Sequence, residues 1–542
     1  KRMKLKEKTI LYFCAIILFI AFAMGLAVTS DYGKPPDENT EIGILMGNLR
    51  EYLGLYFKED SLIMYGFDAN NYIPISQSIE IDHGQAAYYP ISPLLYMAKT
   101  NQIDISSDSV SLIYHLYTYI ISFTAVIAIF VLIKNMFKSS ALALLCALML
   151  FITPRFFGEM HYNNKDIVLL ALVIDTCCLG ILATKYCRPF HIFLFSLLAA
   201  LTANTKIVGL YVYGVIGVFY LVYTSVYKKW GDGSRIKAML ASIAMFCAFY
   251  YLLTPAMWRD VAGFFDYCLF NAFHFSRWDD LVLFEGEALS PAAGELPGRY
   301  LITLICITTP LFILGLAILG AGRLLFCLAS RKHRKNQTEI LLTTGMICLC
   351  TLLPLLIASI SKSIVYNGWR HFYFSYFGIL ALAFYGLELL LGRWKKISTF
   401  AVILLIAANT VQMAANHPYQ FAYFNVLAGK DAGQRYETDY WGVSTRDALE
   451  FILEDSTNDG ATAISWGTDK TRLLLINAYN VLPMDEAMKV ELVYDYSSAD
   501  YIVVNSTSGI VCGTDIPEDF YLMHTIEAYG VPLTDIYARS GR

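Results

Sequence analysis

Ser30-Asp31-Tyr32-Gly33-Lys34-Pro35-Pro36-Asp37-Glu38 follows directly on the first long apolar stretch of the chain, residues 9–29. That stretch is long enough to cross a hydrocarbon core, which takes about 20 residues of helix. It is also too long, and too sparsely flanked by small residues, for a cleaved signal peptide. The abrupt passage from apolar to polar then recurs along the 542 residues. Further apolar blocks lie at 109–133, 139–153, 167–184, 190–204, 207–226, 237–255, 300–322, 339–360, 372–391 and 397–415, eleven in all with the first. The block at 139–153 and the turn at Asn204-Thr205-Lys206 are short enough to be kinked or re-entrant. With 56% hydrophobic and 16% charged residues, the composition departs from that of water-soluble domains.

Charge sets the expected orientation. Lys1, Arg2, Lys4, Lys6 and Lys8 precede the first block, which predicts a cytoplasmic N-terminus. The same side collects Lys134, Lys185, Lys228, Arg235, Arg331, Lys335, Arg393 and Lys396 in short segments whose only acids are Glu7, Asp232 and Glu339. Nearly all other acids fall in the long segments 30–108, 256–299 and 416–542, so the C-terminal segment is expected outside. Its pattern of helix at 445–454, strand at Ala461–Trp466, helix at 469–479 and strand at Tyr501–Asn505 predicts a small α/β domain. The expected fold is an all-α polytopic membrane domain over 1–415 with an extracytoplasmic α/β domain over 416–542. Residues Val261, Phe264, Phe265, Cys268, Leu269, Ala272 and Phe273 recur at helical spacing and predict an amphipathic helix in the membrane interface.

Several classes are disfavoured. There is no GxGxxG or P-loop pattern, and no CxxC or HExxH spacing for a metal. The net charge of −4 offers nothing to nucleic acid. Most cysteines sit in apolar blocks; only Cys268 and Cys512 are expected on the outer surface, leaving room for one disulfide.

Candidate chemistry gathers on the outer side. Asp37 and Glu38 stand just beyond a span, where a carboxylate stays ionised and can take a proton from an incoming hydroxyl. A solvated acidic pair is the plainer alternative. Between two spans runs Thr153-Pro154-Arg155-Phe156-Phe157-Gly158-Glu159-Met160-His161-Tyr162-Asn163-Asn164-Lys165-Asp166, with Asp166 at the start of a helix where the macrodipole favours its charge. Lys206 follows Asn204-Thr205, and Arg370-His371 stand at the mouth of another span. Cations at that depth bind a lipid-linked phosphate by charge-assisted hydrogen bonds, or simply ordinary headgroups. Asp175 lies mid-span and is expected to be protonated or hydrogen-bonded inside the bundle, with Glu388 near the cytoplasmic end as the other intramembrane acid.

Taken together, these pieces resemble the C-type glycosyltransferases that use polyprenyl- or dolichyl-phosphate sugars, in the branch of protein O-mannosyltransferases and aminoarabinose transferases. The matching segments are Asp31-Tyr32-Gly33 with Asp37-Glu38, Pro154 to Asp166, Asn204-Thr205-Lys206, Pro255-Ala256-Met257-Trp258, Leu296-Pro297-Gly298-Arg299-Tyr300, Gly368-Trp369-Arg370-His371, and His417-Pro418-Tyr419-Gln420 with Tyr423-Phe424-Asn425. The resemblance implies an inverting transfer from a lipid monophosphate sugar, with Asp37 as base and Asp166 as supporting acid. Arg370, Arg155 and Lys206 become candidate phosphate binders, and His371, Lys165, Asp31 and His161 candidate substrate contacts. A monophosphate leaving group demands no metal and no cofactor, although pyrophosphate-using relatives bind one. The commonest first-loop pattern places an aromatic residue or His after the acidic pair; here Asn39-Thr40-Glu41 stands instead.

The expected partners are a polyprenyl-phosphate sugar donor, membrane lipids and an acceptor that is a glycan, a lipid or a protein. The expected place is a bacterial plasma membrane. A flippase for lipid-linked sugars would need a polar path across the bilayer, which Asp175 and Glu388 alone do not supply. A non-catalytic scaffold would leave the one-sided acids and cations without a purpose.

Overall fold

A computed structural model describes residues 2–103, 105–231, 233–273, 280–456 and 460–541. Lys1 and Asp232, both used above to orient the chain, lie outside the described residues. The membrane part is built from helices α1 (Arg2–Ala27), α3 (Ser107–Phe137), α4 (Ser140–Phe151), α6 (Asp166–Tyr186), α7 (Pro189–Thr205), α8 (Val208–Val226) and α9 (Ser234–Leu253). It continues with α11 (Tyr300–Thr308), α12 (Leu311–Ala329), α13 (Thr338–Ser361) and α14 (Tyr376–Ala415). Among the described residues eight helices are long and apolar enough to cross a membrane, with α4 and α7 shorter. The protein is an integral membrane protein.

Two breaks refine the expected spans. The block 300–322 is not one helix: α11 stops at Thr308 and α12 begins after Pro310, whose missing N–H and fixed φ end the first segment. Helix α14 runs 40 residues but is interrupted at Trp394, with φ −134° and ψ 53°, so its two halves correspond to the blocks 372–391 and 397–415. Helix α6 is apolar all round and almost wholly buried, which makes it the centre of the bundle, against α3, α7 and α8.

The segment 30–108 between α1 and α3 is folded. Its helix α2 (Glu38–Leu53) packs Ile42, Leu45 and Met46 with Phe67, Tyr88 and Leu95 against Tyr114 of α3 and Val168 of α6. A short helix, α5 (Pro154–Glu159), joins α4 to α6. Helix α10 (Val261–Phe273) forms as expected; it buries Phe264 and Cys268 and leaves Val261, Leu269 and Phe270 exposed. Cys268 is therefore inside, and all twelve cysteines are free, so the outer disulfide does not form.

The hairpin of β1 (Val282–Phe284) and β2 (Glu287–Leu289) bridges through Phe284 to Tyr436, at the entrance to the terminal domain. That domain carries α15 (Ser444–Asp455), β3 (Thr462–Trp466), α16 (Asp469–Tyr479), β4 (Val490–Leu492), β5 (Tyr501–Asn505), β6 (Phe520–Ala528) and β7 (Val531–Arg539). The sheet order is β4-β3-β5-β7-β6, with β4, β3 and β5 parallel and β7 antiparallel to both β5 and β6. Tyr529 and Gly530 both take positive φ in the two-residue turn of the β6–β7 hairpin, the geometry that matches strand twist.

Candidate active site

Asp37 is the N-cap residue of α2, yet its side chain caps nothing. The buried face of α2 repeats at Glu38, Glu41, Ile42, Leu45 and Met46, so those acids turn inward. Asp37, one position earlier, points elsewhere. Its Oδ2 accepts a hydrogen bond of 2.7 Å from Arg370 Nη1, across 333 positions of chain. The other arm of the guanidinium, Nη2, donates to Tyr440 Oη at 2.8 Å. The rings of Tyr366, Tyr440 and Trp441 lie 4.7, 4.7 and 5.1 Å from the guanidinium carbon. Arg370 is thus buried and held through both terminal nitrogens while Asp37 remains 39% exposed, the open end of the pair.

Two further ion pairs adjoin it. Asp166 heads α6, its N–H donating to Asn163 Oδ1 at 2.9 Å, and its Oδ1 accepts from Lys206 Nζ at 2.6 Å. Lys165 Nζ donates to Glu41 Oε1 at 2.8 Å, and Gln85 Nε2 donates to the other oxygen of Glu41. The pairs sense one another: Arg370 and Lys165 act on Asp166, and Asp37 acts on Lys165. Burial works against charge on both lysines. On Lys165 it is outweighed by Glu41 and Asp166, which hold the ammonium above its ordinary range. On Lys206 burial wins over Asp166, and the ammonium sits below it. His371 packs edge-on to Tyr366 at 4.0 Å and feels Lys206, Arg370 and Lys165. Asp37, Asp166, Lys165, Lys206, Arg370 and His371 therefore form one group.

Four other expected residues stand elsewhere. Glu38 is buried, accepting from Ser111 Oγ at 2.7 Å, with His115 Nε2 at 2.7 Å and Lys34 Nζ at 3.8 Å. Burial pushes its carboxyl up, but His115, Lys34 and Ser111 together hold it below the usual value. It ties α2 to α3 rather than facing the open end of Asp37. Asp31 pairs with His417 Nε2 at 2.8 Å on the surface. His161 is enclosed between the rings of Tyr32 and Tyr119, 4.5 and 4.9 Å away, with Thr29 Oγ1 at 3.0 Å from Nδ1. Burial drives its pKa well down, so it is a neutral packing element. Arg155 lies 4.1 Å over the ring of Phe421, and its charge acts on Glu159 and Glu437. Among the described residues no carboxylate comes within ion-pair distance of it.

Glu159 is itself notable. Burial raises its carboxyl to about 7, against the hydrogen bonds of Tyr373 and Asn163 and the charge of Arg155. Tyr440, Glu41, Gln85 and Glu437 were not singled out from sequence. Glu41 carries a readable signal, three positions after Glu38 on a helix, whereas nothing local marks Tyr440.

An apolar cavity of 660 Å³ lies between α3, α6 and α7 at membrane depth, lined by Tyr117, Ile121, Thr124, Asp175, Leu179 and Leu201 among others. Asp175 Oδ2 accepts from Thr124 Oγ1 at 2.5 Å, the hydrogen-bonded state expected of an intramembrane acid. At one end the cavity meets Ala86, whose N–H donates to Asn204 Oδ1 at 2.9 Å. Gln85 on one side and Lys206 on the other thus bring it to the edge of the charged group. Glu80, Asp82 and His83 hold ligand-type atoms within 4.8 Å of one another, the set in this region suited to a cation.

No protein-family model matches the chain, and no curated protein matches it. Among solved structures, the chain is similar to ArnT from Cupriavidus metallidurans in the apo state, at 13% identity over 87% of this chain and 97% of that one, with a TM-score of 0.41. It is likewise similar to ArnT from Cupriavidus metallidurans bound to undecaprenyl phosphate, at 12% identity over 98% of both chains, with a TM-score of 0.46.

Proposed function

We propose that the protein is an inverting glycosyltransferase that moves a sugar from a polyprenyl-phosphate carrier to an acceptor hydroxyl on the non-cytoplasmic face. The observation that carries this is the half-open carboxylate of Asp37, aimed by a fully enclosed Arg370 beside a second buried acid–cation pair. Asp37 takes the proton of the acceptor hydroxyl as its oxygen bonds to the sugar C1. The bond from C1 to the phosphate oxygen breaks on the opposite side, and its electron pair leaves with the polyprenyl phosphate. Arg370, Lys206 and Lys165 offset the charge that grows on that phosphate. Asp166 keeps Lys206 oriented, at 2.6 Å. The apolar cavity beside Ala86 has the depth and lining for an isoprenoid chain whose head reaches this group.

In this reading the N-terminus is cytoplasmic and the terminal domain extracytoplasmic. Nothing in the chemistry requires a metal. The test is purified protein in nanodiscs with a polyprenyl-phosphate sugar labelled in the sugar. Label should leave the lipid only when an acceptor is added. Label that crosses a vesicle bilayer still attached to lipid, with none transferred, would identify a flippase instead.

A further inference from the structure

The terminal domain opens a cleft of 610 Å³ at the carboxyl ends of β3 and β5. Small-molecule sites typically enclose about 300–1,000 Å³. From β3 the chain crosses to β4 on one side, then returns to β5 on the other, and all three strands are parallel. The crevice between β3 and β5 is therefore a topological switch point, where open α/β sheets bind ligands. The proposed transfer chemistry uses none of its residues.

Its walls differ in character. Trp466, the last residue of β3, meets the ring of Tyr494 edge-on at 4.9 Å. Tyr494 is 71% exposed, which leaves ring surface for a ligand beside the contact with Arg472. Arg472 lies 4.6 Å over Tyr494 and 5.5 Å over Trp466, which fixes both rings. The lining also includes Asp280, Asp469 and Lys470, with the hydroxyls of Thr468 and Ser508 bonded to each other at 2.9 Å. An aromatic face beside carboxylates and hydroxyls suits a pyranose, which offers an apolar C–H face and a rim of hydroxyls. The two acids disfavour a phosphate. Both β3 and β5 are interior strands, so the cleft presents no free strand edge to a peptide.

The cleft also shares a wall with the Asp37 group. Lys470 Nζ lies 3.8 Å from Glu437 and 4.9 Å above the ring of Tyr440, whose hydroxyl accepts from Arg370. We propose that this cleft is a saccharide subsite, holding one sugar unit of a glycan acceptor while another presents its hydroxyl to Asp37. The acceptor role rests on the transferase reading above; saccharide binding does not.

Full-length protein in nanodiscs provides the test, with chitobiose and cellobiose as probes. Cys512 lines the cleft and is exposed, so its alkylation by a maleimide, followed on the Cys512 peptide, reports occupancy without catalysis. Either disaccharide should slow that alkylation. Tyr494→Ala should abolish the protection and raise the acceptor KM about tenfold, with the donor KM unchanged. Asp469→Asn should weaken both in the same direction. Transfer to a disaccharide without protection of Cys512, or protection that survives both substitutions, overturns the subsite. Protection without any transfer supports saccharide binding and overturns the acceptor role.

Discussion

At the residue scale, one guanidinium organises the site. Arg370 spends its two terminal nitrogens on different partners, Asp37 and Tyr440, and its planar face on three rings. Lysine has a point charge and no fork, so Arg370→Lys cannot span both partners. We expect that variant to fold and to lose about 10- to 100-fold in kcat/KM, which a steady-state transfer assay measures directly. The structure brings Asp37, Asp166, Lys206 and Arg370 together, and in the sequence each is marked by its place near the end of an apolar block. Glu38 and His161 turn away from that group for a physical reason. A residue name and its distance from a span do not give the direction of its side chain, and one step along a helix turns it by about 100°.

At the scale of elements, α5 and the turn after it hold a buried acid whose charge the fold opposes. Glu159 titrates at about 7 in the folded protein, against an ordinary value of 4.5. A raised folded-state pKa contributes stability that is fully present below the unfolded value and is lost as pH rises through the folded one. Thermal unfolding in detergent should therefore show stability falling between pH 4.5 and about 7 through this group. Glu159→Gln, which keeps hydrogen bonds to Tyr373 and Asn163 available, should flatten that slope. An unchanged slope would mean that Glu159 is already charged at low pH. The helices themselves were readable from apolar length alone, and so was the strand–helix–strand core of the terminal domain. The β6–β7 hairpin was not, because its residues Tyr521 and Leu522 face solvent and blur the alternation that marks a strand. The break before α12 was missed because an apolar run reads as continuous across Thr309-Pro310.

At the scale of the molecule, the arrangement depends on which side each end occupies. The Asp37–Arg370 bond joins the segment after α1 to the segment 370–375 that precedes α14, and Tyr440 adds the entrance of the terminal domain, so the site is assembled from three distant parts of the chain. All three must lie on one side of the bilayer. A membrane-impermeant maleimide added to intact right-side-out vesicles should label Cys512 on the peptide that carries it, and Cys512→Ser should remove the signal. Labelling only after the vesicles are opened would invert the orientation. Composition and charge give the expected sidedness; the contact between the first loop and residue 440 is a property of the folded chain that no local pattern encodes.

The central claim is that Asp37 removes the proton from the acceptor, and a single comparison tests it most directly. Wild type and Asp37→Asn, both in nanodiscs and saturated with labelled donor, are mixed with acceptor and followed through one turnover. If Asp37 is the base, the variant binds donor and folds as wild type does while transfer slows by at least about 100-fold, the usual share of a general base. Transfer at the wild-type rate by Asp37→Asn would contradict it.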